Sequence, residues 1–365
     1  MKLHVFNPEH DMALAAGLER FTPSHAGRSM RSSLAFLPAL WADEGDMILV
    51  DDITAAADAL RHYSAQTKSP QLVTLSDLRH LSDPLPELSV WGWDAALRHQ
   101  LLQAAPQLQS VVPTEQQLAD IRLLSHRRWA ATHVLPALVG HDGHFVGQSV
   151  FVDSMEVLQS RLHDGQWVLK APWSSSGRGI RYVRTPLTEH QEGWCRNIIQ
   201  RQGGLMLEPN YNKVADFGME FSSDGQGHIA YLGLSLFATR GAAYTGNLIA
   251  SEDRKAELLS QYVDPSSLLS LQQQLVQVLT EQLASRYAGP LGVDMMVLTT
   301  PGGQGYRVHP CVELNLRRTM GHVALSLASR DGVLLPSVMS IHATAQHHQL
   351  KIAKWMPDYE NCTVY

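Results

Sequence analysis

The stretch that decides the fold runs from Val168 to Val183 and reads V-L-K-A-P-W-S-S-S-G-R-G-I-R-Y-V. A short apolar run ends at Lys170, a Ser/Gly loop follows, and an alternating run leaves the loop as a second strand. Glycine permits backbone angles that turn peptide N–H groups toward an anion, and Lys170 and Arg178 add positive charge. The pattern predicts a phosphate-binding loop formed by Lys170, Ser174, Ser175, Ser176, Gly177 and Gly179. The lysine precedes the glycines, so the loop is not a Walker loop. An ordinary polar hairpin turn has a similar composition, and the choice depends on motifs downstream.

The composition is that of an ordinary globular protein. The chain has 365 residues, 44% hydrophobic and 18% charged, which suggests two or three domains. A net charge of −6 argues against general attraction to nucleic acid or to an anionic membrane. The three cysteines form no C-x-x-C pair, so we expect no disulfide framework and no zinc knuckle. No signal-peptide pattern and no membrane-length apolar run is visible, so we expect a cytoplasmic protein.

The first part of the chain predicts a small parallel α/β layer. Three strand candidates alternate with helical patterns, at Lys2–Phe6, Met47–Val50 and Gln71–Leu75. Asn7, Glu9 and Asp11 follow the first strand, where parallel sheets bind ligands, so they are candidate substrate residues. A capped helix start explains the same residues without any ligand.

A hinge between two later strands predicts an adenosine site. Glu208 ends an apolar strand, and Asp216 and Phe217 begin the next after a short polar loop. Exposed strand-end groups can bind the edge of adenine, Glu208 can accept from its amino group, and Asp216 can accept from both ribose hydroxyls. Tyr211 lies within the hinge and belongs to the predicted site. Each acid taken alone is also explained as a surface charge.

A hairpin near the C-terminus predicts a metal site. Asp294 lies in one apolar strand, a glycine-rich turn follows, and the returning strand carries Glu313, Asn315 and Arg317 on one face. The intervening residues Val312, Leu314 and Leu316 are predicted to point into the core. A four-residue turn places Asp294 opposite Glu313, and a slip of one residue separates them. Carboxylate and amide oxygens facing one another suit Mg²⁺, which gives Asp294, Glu313 and Asn315 as candidate ligands.

These motifs together resemble the ATP-grasp enzymes, and the E-x-N-x-R sequence at 313–317 is their most specific element. The resemblance covers about residues 125–333 and is closest to the carboxylate–amine ligases. It implies an α/β and α+β architecture, with an ATP-grasp fold preceded by a small Rossmann-like parallel-sheet domain. The implied regions are a pre-ATP-grasp domain at 1–113, a lid at 114–204, a nucleotide- and metal-binding subdomain at 205–345 and a tail at 346–365.

The resemblance also implies roles for arginines. ATP lies between the lid and the C-terminal sheet, and a basic residue at a helix start reaches its phosphates. The family normally has lysine there, whereas this chain has Arg127 and Arg128, and the sequence does not decide between them. Arg240 and Arg317 are placed to stabilise the oxyanion and the transferring phosphate. Asn247, in the loop after Arg240, is a candidate substrate residue.

The implied reaction is ATP-dependent ligation that requires Mg²⁺ (or Mn²⁺). A substrate carboxylate is activated as an acyl phosphate and then attacked by an amine or similar nucleophile, with release of ADP and phosphate. Two alternatives remain open: a small-molecule kinase and a nucleotide-binding module without catalysis. The expected partners are a small-molecule or peptide carboxylate and an amine, with no nucleic acid and no membrane. The sequence leaves open the identity of both substrates and the oligomeric state.

Overall fold

The computed structural model describes residues 1–63, 67–140, 143–174, 177–300, 302–330, 336–344 and 347–355. Within this part of the chain the strands form three sheets, one parallel and two antiparallel. Helices cover the sheets, which confirms the predicted mixed α/β and α+β class. The predicted loop residues Ser175 and Ser176 lie outside the described residues.

The N-terminal sheet has four parallel strands in the order β3-β2-β1-β4. They are β1 (Lys2–Val5), β2 (Met47–Leu49), β3 (Gln71–Val73) and β4 (Glu87–Val90). The sequence analysis did not identify β4, because only its last residue is fully buried and its apolar signal is short. The helices of this region are α1 (His10–Ala16), α2 (His25–Leu34), α3 (Ile53–Arg61) and α4 (Ala95–Ala104). Three 3₁₀ helices lie at Leu37–Leu40, Asp77–His80 and Pro106–Ser110.

The middle sheet has four antiparallel strands in the order β5-β8-β6-β7. They are β5 (Val150–Val152), β6 (Gln166–Lys170), β7 (Ile180–Arg184) and β8 (Leu205–Pro209). Strands β6 and β7 form the predicted hairpin around the Ser/Gly loop, with Lys170 paired to Ile180. Strand β8 belongs to this sheet and not to the following one, so the predicted boundary at residue 204 separates β8 from the strands with which it pairs. Helices α5 (Glu115–Leu124), α6 (Arg127–His133) and α7 (Leu135–Leu138) precede the sheet, and α8 (Met155–Arg161) and α9 (Glu189–Gln202) pack on it.

The third sheet has seven antiparallel strands in the order β13-β12-β9-β10-β11-β14-β15. They are β9 (Lys213–Asp224), β10 (Ile229–Arg240), β11 (Ala243–Ile249), β12 (Ala288–Thr299), β13 (Tyr306–Asn315), β14 (Ser337–Ala343) and β15 (His348–Lys354). The remaining described helices are α10 (Glu252–Leu259), α11 (Pro265–Gln282) and α12 (Met320–Arg330). Strand β15 lies in the segment predicted as a tail, and it pairs with β14 over its full length.

Strand β9 lies in the middle of this sheet and separates core from cleft. Its odd-numbered residues Phe217, Met219 and Phe221 are buried in the largest hydrophobic cluster, together with the leucines of α11. Fully burying one such side chain contributes about 1.5–3 kcal/mol, so this face fixes the register of the strand. Its even-numbered residues consequently face the opposite side, where the candidate site lies.

None of the described helices has the length and apolar character needed to cross a membrane.

Candidate active site

A cleft of about 960 Å³ lies between the middle sheet and the seven-stranded sheet. The N-terminal region contributes Phe6, Asp11 and Trp91 to its inner end. Most of the predicted site residues line this cleft, namely Lys170, Gly177, Glu208, Tyr211, Asp216, Asn247, Asp294, Glu313, Asn315 and Arg317. Motifs that are distant in sequence therefore converge on one concave site.

Lys170 and Glu208 form a buried ion pair at one end of the cleft. The Lys170 Nζ lies 2.6 Å from Glu208 Oε2, and both side chains are almost fully buried. Ser149 Oγ donates a hydrogen bond of 2.8 Å to the other carboxylate oxygen. Tyr211 contacts His309 edge to face, with 5.6 Å between the ring centroids. Desolvation lowers the pKa of His309 to about 4, so this imidazole beside Tyr211 is neutral at physiological pH.

Asp216 accepts hydrogen bonds from two side chains at the cleft wall. Lys213 Nζ and Thr239 Oγ1 both donate to Oδ2 of Asp216, the latter at 2.6 Å. The Lys213 ammonium group also donates to Thr239 Oγ1 at 2.7 Å. The sequence analysis proposed Asp216 alone, and Lys213 and Thr239 are additional polar groups at this position.

Asp294 and Glu313 are paired in register on adjacent strands, as predicted. The Asn315 side-chain amide donates to Asp294 Oδ2 at 3.1 Å, so the three candidate metal ligands are contiguous. Burial, followed by the charges of Glu313 and Glu220, raises the pKa of Asp294 to about 8. A cluster of carboxylates that resists ionisation in this way is a favourable site for a cation.

A bulge in β13 corrects one detail of the predicted hairpin. The register shifts between Asp294 and Met296, opposite the segment Pro310–Val312. Leu314 and Leu316 point into the core as expected, but Val312 lines the cleft. The extra residues of the bulge break the two-residue alternation on which that prediction depended.

Arg127 links the carboxylate hairpin to the Ser/Gly loop. Its guanidinium donates to the Ala171 carbonyl at 2.6 Å, to Ser174 Oγ at 2.8 Å and to Glu313 Oε1 at 2.6 Å. Arg128 instead lies over the ring of Phe151, at 4.7 Å from the centroid. Of the two adjacent arginines, Arg127 is therefore the one that reaches the acidic cluster, although it is not itself a lining residue of the cleft.

The Ser/Gly loop contacts the turn between β10 and β11 across the cleft. Gly177 has φ of +70°, and a Cβ placed there would lie 2.4 Å from the carbonyl oxygen of Ala242. At Gly179 a Cβ would lie 2.4 Å from Ser174 Oγ. Gly177 is therefore required for the approach to this turn, by its backbone angle and by lack of space, whereas Gly179 leaves room for Ser174 within the loop.

The two predicted catalytic arginines differ in position. Arg317 lines the cleft, and its guanidinium lies 2.9 Å from Asp11 Oδ2. Burial raises the pKa of Asp11, but the charges of Arg317, His10 and Arg127 and the hydrogen bond from Arg317 together outweigh burial, so the pKa is lowered. Arg240 is exposed at the end of β10 and is not among the residues that line the cleft.

The four candidate substrate residues divide between two clefts. Asp11 and Asn247 line the main cleft, where Asn247 donates to Ser235 Oγ at 2.8 Å. Asn7 and Glu9 line a separate cleft of about 500 Å³ beyond the carboxyl ends of the parallel strands. There Asn7 donates to Asp94 Oδ2 at 3.1 Å, and Glu9 accepts from Arg31 at 2.9 Å.

Sequence reasoning missed Glu220, a further acid that lines the cleft. It lies on β9 two residues beyond Gly218 and four beyond Asp216, on the face opposite the buried phenylalanines. This alternation of acid, glycine and acid between core residues is the signal that could have identified it.

The candidate metal-binding side chains fit a divalent cation that is also coordinated by a bound substrate. Among the described residues, no group of three or more His, Cys, Asp or Glu side chains could hold a metal ion alone. Asp294, Glu313 and Asn315 supply two carboxylates and an amide, and Mg²⁺ usually completes its coordination with water and substrate phosphates.

Comparison with known proteins gives the fold. No family model matches the sequence, and no curated protein matches it. Among solved structures, an ADP complex of the N5-carboxyaminoimidazole ribonucleotide synthetase PurK has a TM-score of 0.52 at 14% identity, covering 96% of this chain and 90% of its own.

A putative ATP-grasp protein from Archaeoglobus fulgidus has a TM-score of 0.51 at 11% identity, covering 98% of this chain and 100% of its own. The biotin carboxylase domain of the Hydrogenobacter thermophilus 2-oxoglutarate carboxylase, in complex with MgADP and bicarbonate, has a TM-score of 0.52 at 13% identity, covering 98% and 86%. The chain therefore has the ATP-grasp fold, as the sequence motifs indicated.

Proposed function

We propose that the protein is an ATP-dependent ligase that activates a carboxylate as an acyl phosphate for attack by an amine. The observation that carries this proposal is the pairing of Asp294 with Glu313, beside Asn315, on one wall of a cleft whose opposite wall holds Lys170 and the Ser/Gly loop. Cations and a donor-rich loop on one side and acidic metal ligands on the other suit a nucleotide triphosphate with its metal ion.

ATP and Mg²⁺ are the proposed nucleotide and metal. The PurK structure is an ADP complex, and the 2-oxoglutarate carboxylase domain is a complex with MgADP, so both support a nucleotide in this fold. Asp294, Glu313 and Asn315 would hold the metal. A bound Mg²⁺ would neutralise charge on the phosphates during transfer. Lys170 and Gly177 would contact the phosphate chain, and the wall formed by Tyr211 and Glu208 would receive the adenine.

The residues of this chain have separate tasks in the proposed reaction. Arg127 holds Glu313 and the base of the Ser/Gly loop at fixed positions, so metal site and loop are aligned with each other. Arg317, oriented by Asp11, presents its positive charge to the substrate carboxylate and then to the transferring phosphoryl group. The loop covers the cleft and excludes water, which protects an acyl phosphate from hydrolysis.

The proposal is tested by ADP release with hydroxylamine present. Purified protein, ATP and Mg²⁺ are incubated with a panel of amino acids, short peptides and dicarboxylates, because hydroxylamine converts an acyl phosphate into a stable hydroxamate. We expect ADP and hydroxamate in equal amounts with at least one carboxylate. Phosphorylated product without hydroxamate would favour a kinase, and nucleotide binding without turnover would favour a module without catalysis.

Glu313→Gln tests the metal assignment within the same assay. We expect the variant to bind ATP measurably but to lose Mg²⁺-dependent turnover, because one carboxylate ligand is removed. Glu281→Gln, on the exposed face of α11, is the matched control and should keep full activity. Undiminished turnover of Glu313→Gln would contradict the assignment.

A further inference from the structure

We propose that the inner end of the main cleft is a binding site for the ammonium group of the acceptor substrate, with Glu220 as its carboxylate partner. The assignment of this ammonium group to an acceptor rests on the proposed ligase function, whereas the binding itself does not. Glu220 lies on β9 at the floor of the cleft, beyond the metal-site residues and beside Thr319 and Gly321.

One oxygen of the Glu220 carboxylate lacks a hydrogen-bond donor among the residues that the structure describes. The residue is only 2% exposed, and its Oε2 accepts no hydrogen bond from this part of the chain although His322 Nδ1 lies 2.9 Å away. The backbone N–H of Thr319 donates to this Nδ1 at 3.2 Å, and His322 Nε2 lies 3.2 Å from the Phe221 carbonyl. A backbone N–H can only donate, so this Nδ1 accepts from Thr319 and makes no hydrogen bond to Glu220 Oε2.

Two cations of this region, Arg317 and Lys255, already have acidic partners, and a third, Arg318, lies over the ring of Trp41 at 4.5 Å from the centroid. Arg317 is paired with Asp11 at 2.9 Å. Lys255 lies 2.9 Å from Glu252 and donates to the Leu234 carbonyl at 2.6 Å. A buried carboxylate without a donor is costly, and a ligand that brings a positively charged donor removes that cost.

Two glycines leave room for this carboxylate at the cleft floor. A Cβ at Gly292 would lie 2.5 Å from Glu220 Oε2, and a Cβ at Gly321 would lie 1.9 Å from Oε1. Any side chain at either position would therefore displace the carboxylate. The local sequence thus keeps an acidic group in a narrow place at the floor of the cleft.

The neighbouring lining residues are apolar. They come from the N-terminal region, from α12 and from β14, and comprise Phe6, Met30, Trp91, Met320 and Ile341. A carboxylate at the floor and an apolar wall beside it match a molecule that carries an ammonium group on a short apolar portion. The site thus specifies a primary amine with an aliphatic or similar apolar substituent as acceptor.

A methyl NMR titration with n-butylammonium chloride tests this site without knowledge of the natural substrates. Met30 and Met320 line the same end of the cleft, so their ¹³C-labelled methyl groups report binding there. We expect saturable shifts of these two signals in the wild-type protein and much weaker shifts with n-butanol, which has the same apolar portion without the charge. Glu220→Gln should weaken n-butylammonium binding roughly tenfold or more, since a hydrogen bond to a charged group is lost.

The variants are chosen so that loss of folding does not imitate loss of binding. A glutamine amide at position 220 can donate to His322 Nδ1, so Glu220→Gln should unfold at a temperature no lower than the wild type. Glu257→Gln, exposed on α10, is the matched control and should bind like the wild type. Absent shifts at Met30 and Met320 in the wild type, or equal affinity in Glu220→Gln, would overturn the proposal.

The two proposals fail separately. If n-butylammonium binds through Glu220 but no carboxylate yields hydroxamate, the ligase function is wrong and the ammonium site stands. If hydroxamate forms but n-butylammonium does not bind, the ligase function stands and the ammonium site is wrong.

Discussion

Individual residues in this cleft are held by buried polar pairs rather than by packing alone. Lys170 pairs with Glu208, Arg127 with Glu313, and Arg317 with Asp11. Each pair joins residues from different elements, and burial makes the loss of one partner expensive because the other charge remains. The same pairs hold their side chains in place before any nucleotide binds. Stability and function are therefore coupled at these positions.

Lys170→Met tests this coupling. It leaves Glu208 buried with Ser149 as the remaining donor among the described residues, so we expect the free energy of unfolding to fall by about 3–5 kcal/mol. ATP affinity should also fall, by about 1.5–3 kcal/mol for one charge-assisted contact. Chemical denaturation measures the first effect and calorimetric titration with ATP the second.

A double variant separates the two effects of Lys170. Lys170→Met combined with Glu208→Leu removes both charges, so much of the lost stability should return while ATP affinity stays low. If the single variant binds ATP with wild-type affinity, Lys170 does not contact phosphate. If the double variant is no more stable than the single one, the buried pair is not the source of the loss.

Among the structural elements, the β6–β7 hairpin and the β12–β13 hairpin together shape the cleft. The first carries the Ser/Gly loop and the second the acidic cluster, and Arg127 at the start of α6 contacts both. The loop also meets the β10–β11 turn at Gly177 and Ala242. Gly177 and Ala242 both line the cleft, so the position of the loop is expected to affect access to it.

Gly177→Ala should weaken the contact between the Ser/Gly loop and the β10–β11 turn. The substitution introduces a Cβ at a φ of +70° and 2.4 Å from the Ala242 carbonyl, so the loop must move away from the β10–β11 turn. Amide hydrogen exchange of peptides from residues 177–184 and 240–246 should become faster, and the KM for ATP should rise. Gly193→Ala, in α9 with open space around its Cβ, is the control and should change neither. Unchanged exchange in both peptides would show that the contact does not hold the loop.

The sequence was most informative where local rules decide the structure. The alternation of apolar residues around Asp294 and Glu313, with a glycine turn between them, was sufficient to predict their pairing. The sequence did not allow contacts between distant segments to be predicted. Arg127 and Glu313 are 186 positions apart, and no local pattern indicates that their side chains meet. The bulge that turns Val312 toward the cleft and the short strand β4 also lacked a local signal.

At the level of the whole molecule, three regions of the chain meet at one cleft. The middle sheet supplies Lys170 and the loop, the seven-stranded sheet supplies the acids, and the N-terminal region supplies Asp11 and the apolar inner wall. A hydrophobic cluster joins the N-terminal helices to α12, β14 and β15, including Leu34, Val323, Met339 and Leu350. The N-terminal region is thus packed against the sheet that carries the acids, and its position at the inner end of the cleft is fixed.

Apart from the boundary at residue 204, which separates β8 from its partner strands, the domain boundaries drawn from the sequence remain a prediction. The fold itself follows the expected order of a parallel layer, a lid sheet and a large antiparallel sheet. The identity of the carboxylate substrate depends on the inner end of the cleft, where Arg317 and Glu220 offer opposite charges to a ligand. An acid and an amine could therefore be bound next to each other.

A crystal structure with Mg²⁺ and a non-hydrolysable ATP analogue tests the central claim most directly. The account predicts a metal ion with carboxylate oxygens of Asp294 and Glu313 at about 2.0–2.1 Å, and phosphate oxygens completing its shell beneath the Ser/Gly loop. A nucleotide bound outside the cleft, or a metal ion bound away from these two carboxylates, would contradict it.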